Sequence, residues 1–347
     1  MATLQNFDLK PCLPPFWAPE KHSQTIFGDI LPSAKLKDPG QTWIIDLPDG
    51  DQTAHHLHLG NSDWVIVLLH GLAGSADSKY IHRMTQLFQQ DHHTVVRANH
   101  RNCGMSFGLA KHPYHSGRSD DIAVLIKKIR QRFTNKKILT VGYSMSANSV
   151  LLLMSKVFPM QNIFNLEDFA SSGLDDQFEL PDAAITVNAP INLAKSAFEI
   201  SNKLNRIYEL NFMFNLHFFV QGLAKKGQIE SQKGLHPFMK VTNFDQLFTA
   251  PRAGFLSASN YYELCSAGPH LTKIDRPTVC LTSANDPFIP VSDYLKLEAS
   301  PFLRLHIENH GGHLGYLQNE KTPLGTNRWL DYGVYEISKK LFDQVGD

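Results

Sequence analysis

Several features are scarce or missing from this 347-residue chain, and each absence narrows what the protein is. Cysteine is scarce: Cys12, Cys103, Cys265 and Cys280 lie far apart with no C-x-x-C pair. That spacing suits reduced, mostly buried thiols better than a disulfide framework or a zinc site. Net charge is missing, because Lys plus Arg and Asp plus Glu each number 33, so no overall field favours nucleic acid or an anionic membrane. No run approaches the roughly 20 apolar residues that span a bilayer. The amino-terminal stretch lacks the basic flank and apolar core of a signal peptide. Together these point to a globular cytoplasmic protein with no transmembrane segment and no nucleic-acid partner.

Histidine, by contrast, is abundant at 17. His55-His56, His92-His93 and His58 sit in or beside strand-like segments and read as solvated or capping positions. His306, His310 and His313 invite a metal reading, but Gly311-Gly312 breaks the continuous helix that an H-x-x-x-H ligand pair needs. No metal and no cofactor are expected.

Along the chain, residues 1–40 show no periodic pattern. Pro11, Pro14, Pro15 and Pro19 interleave with Phe16 and Trp17, which predicts an extended arm packed on the body. Trp43–Leu47 and Ala54–Leu59, joined through Pro48-Asp49-Gly50-Asp51, read as an antiparallel hairpin. From Trp64 onward strands alternate with helices. Trp64–Leu69, Thr94–Ala98, Ile138–Val141 and Ala183–Val187 are strands; Tyr80–Gln90 and the segment opened by Ser119-Asp120-Asp121 are helices. Such alternation implies a mostly parallel sheet flanked by helices. A polar connection spans Asn165–Leu180. Between residues 193 and 270 the pattern turns helical and irregular, consistent with a lid inserted into an α/β domain spanning 41–347. Its Phe and Met stripe from Leu210 to Val220 fits ordinary core more often than an acyl pocket; it is too short to span a membrane, though long enough to touch one. Thr278–Thr282 and Leu303–Ile307 resume the strands, and an amphipathic helix near Arg328–Val345 closes the chain.

Three strand ends carry chemistry. After Ile138–Val141 comes Gly142-Tyr143-Ser144-Met145-Ser146-Ala147, close to the G-x-S-x-G turn that exposes a serine between a strand and a helix. That turn needs small residues on either side of the nucleophile because strand and helix pack almost back to back. Ser146 stands where glycine is usual, so the elbow's geometry is in question. Asp286, before Pro287, and His313, in His310-Gly311-Gly312-His313, follow later strands, giving the order Ser, Asp, His. His70-Gly71-Leu72 follows the central strand, where a glycine turn leaves amides free to meet an oxyanion.

These blocks, with Pro15-Phe16-Trp17, His22-Ser23-Gln24-Thr25, Asn99-x-Arg101-x-Cys103-Gly104-x-Ser106 and Tyr114-His115-Ser116-Gly117, cover nearly the whole chain. Together they resemble the YheT-like branch of the α/β-hydrolases, which includes bacterial esterases and eukaryotic lipases of the ABHD1/ABHD3 type. The resemblance implies an α/β-hydrolase fold and ester hydrolysis with Ser144 as nucleophile, Asp286 as acid and His313 as base. It also implies an oxyanion hole from the backbone amides of Leu72 and Met145. His310 is the rival base; the family places its base second in this pair, and the flanking glycines free His313 to swing.

The expected partner is therefore a small-molecule ester, lipid-like if the aromatic insertion lines the pocket. Two alternatives remain. One is acyl transfer from an acylated Ser144 to an alcohol, for which H-x-x-x-x-D is no guide, since it occurs twice, at His115 to Asp120 and His270 to Asp275. The other is a non-catalytic hydrolase scaffold that binds a ligand or partner.

Overall fold

In the computed structural model, which describes residues 3–4, 7–33, 35–162 and 179–346, strands and helices alternate much as the hydrophobic pattern predicts. The chain opens with β1 (Thr3–Leu4), α1 (Lys21–Ile30) and the hairpin β2 (Gln41–Asp46) and β3 (Gln52–His58). Next come β4 (Trp64–Leu69), α2 (Lys79–Gln90), β5 (Thr94–Ala98), α3 (Ser119–Arg132), β6 (Lys137–Tyr143) and α4 (Met145–Met154). Beyond β7 (Ala183–Val187) lie α5 (Leu193–Ile200), α6 (Arg206–Lys225) and α7 (Ala258–Cys265). β8 (Thr278–Ser283), β9 (Leu303–Glu308) and α8 (Trp329–Gly346) complete the fold.

The nine strands form one sheet in the order β1-β9-β8-β7-β6-β4-β5-β3-β2. Only the β2–β3 and β3–β5 pairs are antiparallel. Every residue of β4, β5, β7 and β8 is buried, as central strands covered on both faces require. The pleat divides them: Val65, Val67 and Leu69 pack with Ile122 and Ile126 of α3 and Val150 and Leu151 of α4. Ile66 and Leu68 face the other way, onto Ile81, Met84 and Phe88 of α2 and Trp329, Val334 and Ile337 of α8.

Three expectations change. Residues 1–40 are not an unpatterned arm, because they contain β1, paired with β9, and the ten-residue helix α1. Helix α1 is held by tertiary contacts: Gln24 is fully buried, donates to Ala18 O and Leu317 O, and accepts the Leu317 amide. His55, His58 and His93 are buried, not solvated. The pleat turns His55 inward, where its Nε2 meets Thr53 Oγ1 at 2.8 Å and its Nδ1 accepts the Asn99 amide. The Phe and Met stripe of α6 divides among several surroundings, with Met213, Leu216, Val220 and Leu223 in a local core that includes Val241, Phe244 and Phe248. The predicted connection Asn165–Leu180 lies outside the described residues except at its end. All four cysteines are free and buried, and burial pushes each thiol pKa up.

Candidate active site

Strand β6 delivers Ser144 into a sharp turn whose backbone, at φ 53° and ψ −119°, lies in territory that side chains rarely occupy. Small neighbours make it fit. A Cβ added at Gly142 would lie 2.8 Å from Ser146 O, and one at Gly71 would lie 3.1 Å from Ser144 Cβ.

Ser146 fits beside the nucleophile because its hydroxyl is fully employed. It is completely buried and donates to the His70 carbonyl, so at 2.6 Å it must accept from His100 Nε2–H. His70 Nδ1–H donates to Gly71 O, which leaves its Nε2 to accept the His100 amide. Burial pushes His70 down to about 3 and His100 down to about 4, so both rings are neutral at pH 7. The position that glycine usually fills is thus taken by a hydroxyl that ties β4's end to β5's end.

The predicted trio comes together. Asp286 Oδ2 lies 2.8 Å from His313 Nδ1, and His313 Nε2 lies 2.9 Å from Ser144 Oγ. The carboxylate can only accept, so Nδ1 carries the ring proton and Nε2 accepts from the serine hydroxyl. Asp286 is held on every side: Oδ1 accepts the Phe288 and Ile289 amides, and Oδ2 also accepts Asn188 Nδ2 at 2.5 Å. Phe288 packs edge-on against the imidazole, with ring centroids 4.9 Å apart. Among the described residues His310 makes no comparable contact. His306 pairs with Glu308 at 2.8 Å, and among the described residues His306, His310 and His313 form no group with ligand spacing. Among the described residues one group, Asp49, Asp51 and His112, has cation-like spacing; the Arg101 guanidinium bonds both carboxylates there, at 2.6 and 2.5 Å.

In the loop after β4 most backbone amides are already paired. Gly71 N–H donates to Tyr80 Oη, Ala73 N–H to Tyr114 Oη, and Gly74 N–H to Gly71 O. The Leu72 amide between them has no partner among the described residues, and neither does the Met145 amide at the first turn of α4. Leu72 and Met145 border the same cavity as Ser144 and His313.

Sequence reasoning missed three supports. Thr25 on α1 accepts the His313 amide at 2.9 Å. Gly28 and Gly315 let helix and loop touch, since a Cβ on Gly28 would lie 2.5 Å from Gly315 Cα. Asn188 stands at φ 48°, its carbonyl oxygen accepting Tyr316 Oη–H while its amide reaches Asp286. The His22-Ser23-Gln24-Thr25 block carried a signal for the first, but nothing local in the sequence says that it docks near the far end of the chain.

Ser144 lies between two spaces. One is an apolar cavity of about 120 Å³ under α5 and α6, lined by Phe212, Leu216, Phe219, Phe244 and Phe248. The other is a wider, more polar groove of about 930 Å³ running past α1, the 71–75 loop, α2 and α6. Leu72, Phe212, Phe288 and His313 border both.

The sheet and the elbow have the α/β-hydrolase fold, and a family model for the alpha/beta hydrolase fold matches residues 65–163. In sequence the chain is similar to proteins of the YheT and ABHD3 kind. It is 27% identical over 308 residues to the putative esterase YheT of Escherichia coli (strain K12), covering 83% of this chain and 81% of that protein. It is 25% identical over 297 residues to a monoacylglycerol lipase of Saccharomyces cerevisiae, covering 81% and 60% respectively. It is 23% identical over 330 residues to phospholipase ABHD3 of Bos taurus, covering 88% and 73%. Among solved structures, the Pyrococcus furiosus esterase Pf2001 superposes with a TM-score of 0.55 at 14% identity, over 89% of this chain and 98% of that one, a likeness of fold.

Proposed function

We propose that the protein is a serine carboxylic-ester hydrolase that works through an acyl-enzyme on Ser144. The observation that carries this reading is the unbroken hydrogen-bonded series Asp286, His313, Ser144 beside two unoccupied amides. His313 Nε2 takes the serine proton as Oγ attacks the ester carbonyl. Asp286, fixed by two amides and Asn188, holds the imidazole tautomer and stabilises its cation. The Leu72 and Met145 amides receive the negative charge that develops on the carbonyl oxygen. His313 then protonates the leaving alcohol, and water repeats the sequence in reverse to release the acid.

The apolar cavity suits the acyl group and the wider groove suits the alcohol portion, with residues 193–270 acting as a cap over the first. Relatives named esterase and lipase support ester substrates, and the aromatic lining favours an apolar acyl chain. A second reading, acyl transfer, draws support from the same groove, which is wide enough to admit an acceptor alcohol in place of water.

A fluorophosphonate probe should label the folded protein at Ser144 and leave Ser144→Ala unlabelled. Absence of labelling in folded protein would favour the non-catalytic scaffold. A chain-length series of p-nitrophenyl esters then reads the acyl preference, and a peak at the shortest chains would sink the lipid-like version. Ester products recovered in the presence of added alcohols would establish transfer.

A further inference from the structure

Helix α6 is apolar on more sides than a surface helix needs. Met213, Val220 and Leu223 enter the core, while Phe212, Leu216 and Phe219 face the apolar cavity. Yet Ile207, Phe214 and Phe218 stand in solvent, with Ile207 63% and Phe218 67% exposed. The spacing 207, 211, 214, 218, 225 returns to one helical phase, so Ile207, Asn211, Phe214, Phe218 and Lys225 form a single outward stripe about 30 Å long. Phe238, 63% exposed, extends it sideways, its ring 5.6 Å from that of Phe214; its carbonyl is held by Arg206. Exposed Leu204 extends the stripe beyond its first residue. A helix that is apolar all round is normally covered, and contiguous exposed aromatics mark a docking surface.

The charge around the stripe says what covers it. The whole chain is neutral, but residues 201–240 hold six Lys and Arg against two Glu. One of those two, Glu209, is fully buried and paired with Arg206. Lys203 before the helix, Lys225 at its end and Lys240 beside Phe238 are exposed and make no ion pair among the described residues. Aromatic residues in a basic frame match an anionic lipid surface, where apolar side chains enter the acyl boundary and lysines meet head groups. The stripe also continues into the active site, because Ile207 and Asn211 line the wide groove that reaches Ser144. No described helix is long and apolar enough to cross a membrane, so the contact is one of lying on the surface.

We propose that the outer face of α6, centred on Phe214 and Phe218, docks the protein onto an anionic lipid surface with the mouth of the groove turned towards it. The contact adds a partner to the hydrolase reading and stands apart from it, since binding is measured without turnover.

Cosedimentation of the full chain with phosphatidylcholine vesicles, with and without phosphatidylglycerol, tests this. Binding is expected to be strong only with phosphatidylglycerol and to weaken as salt rises. Phe214→Ser with Phe218→Ser should lower the partition coefficient by about tenfold or more. Lys203→Glu with Lys225→Glu should remove the preference for phosphatidylglycerol. None of these four residues lines either cavity, so both double variants should fold by circular dichroism and hydrolyse a short soluble ester at the unaltered rate. Ser144→Ala should bind vesicles like the parent chain, which separates failure of docking from failure of the esterase reading. A parent chain that ignores both vesicle types, or a double phenylalanine variant that binds undiminished, overturns the proposal. So does a dimer in sedimentation equilibrium that the phenylalanine variant dissociates while vesicles stay unbound, because a second copy would then be the occupant.

Discussion

Thr25 and His313 are joined across 288 positions of sequence: the His313 amide donates to Thr25 Oγ1 at 2.9 Å. The loop that presents the imidazole therefore rests on a helix from the opposite end of the chain. Thr25→Ala should leave the side chains of the trio intact yet loosen the backbone that aims His313. The expected cost is about 1.4 kcal/mol in transition-state stabilisation, about tenfold in kcat/KM and mostly in kcat. Thr25→Ser should restore most of it, and a rate unmoved by Thr25→Ala would show that the loop holds its place alone.

Asn188 offers a second test. Its left-handed backbone suits asparagine, and its side chain connects Tyr316 to Asp286. Asn188→Ala should lower kcat by about tenfold to a hundredfold, because it frees the acid and strains the turn. Tyr316→Phe, which removes only the far hydroxyl, should cost less. Equal rates for Asn188→Ala and the parent enzyme would assign Asn188 to packing alone.

Ser146 should prove structural. Ser146→Ala deprives the His70 carbonyl and the His100 ring of their shared partner in a fully buried site, at a cost of about 1–3 kcal/mol and several degrees in Tm. Fluorophosphonate labelling of the folded variant should persist. A variant as stable as the parent would mean that the two histidines find other partners.

Stability should fall in mild acid. Burial pushes His55 and His70 down to about 3 and His58 and His100 down to about 4, from about 6.5 when unfolded. Between those values the unfolded chain binds more protons, so stability is complete above about pH 6.5 and is lost as pH falls towards 4. Asp120 and Asp245, pushed up to about 6 by burial, act in the opposite sense between about pH 4 and 6 and offset part of the loss. Four histidines against two acids leave the net sign unchanged. Urea midpoints should therefore drop from pH 7.5 to pH 5, and a flat profile would contradict this balance.

Much of the sheet was legible because burial on both faces writes itself as unbroken apolar runs: Trp64–Leu69, Thr94–Ala98 and Ala183–Val187 are strands with those limits. The grouping of Ser144, Asp286 and His313 was legible because each follows a strand, and a parallel sheet gathers such loops at one edge. Helix α1 was not. Its sequence KHSQTIFGDI is mostly polar, and the partners that fix it, Leu317 and His313, lie about 290 residues away. The buried histidines were misread for a related reason, because a polar ring among strands looks solvated until its partners are known. His55 finds them in Thr53 and Asn99, and His93 in Ser62. Phe214 and Phe218 were misplaced because periodicity cannot distinguish an inward apolar face from an outward one.

The close seating of Gly28 against Gly315 also orders events during synthesis. Helix α1 leaves the ribosome well before the loop that receives it. At about 5–20 residues per second, the 288 positions between Thr25 and His313 separate them by about 15–60 s. Throughout that interval the nascent chain carries α1 without the surface that fixes it, and over its last 169 positions it also carries Ser144 without the proposed base. Under the proposed mechanism, chemical competence therefore waits for the loop that carries His313, and a polypeptide still short of that loop exposes no working nucleophile.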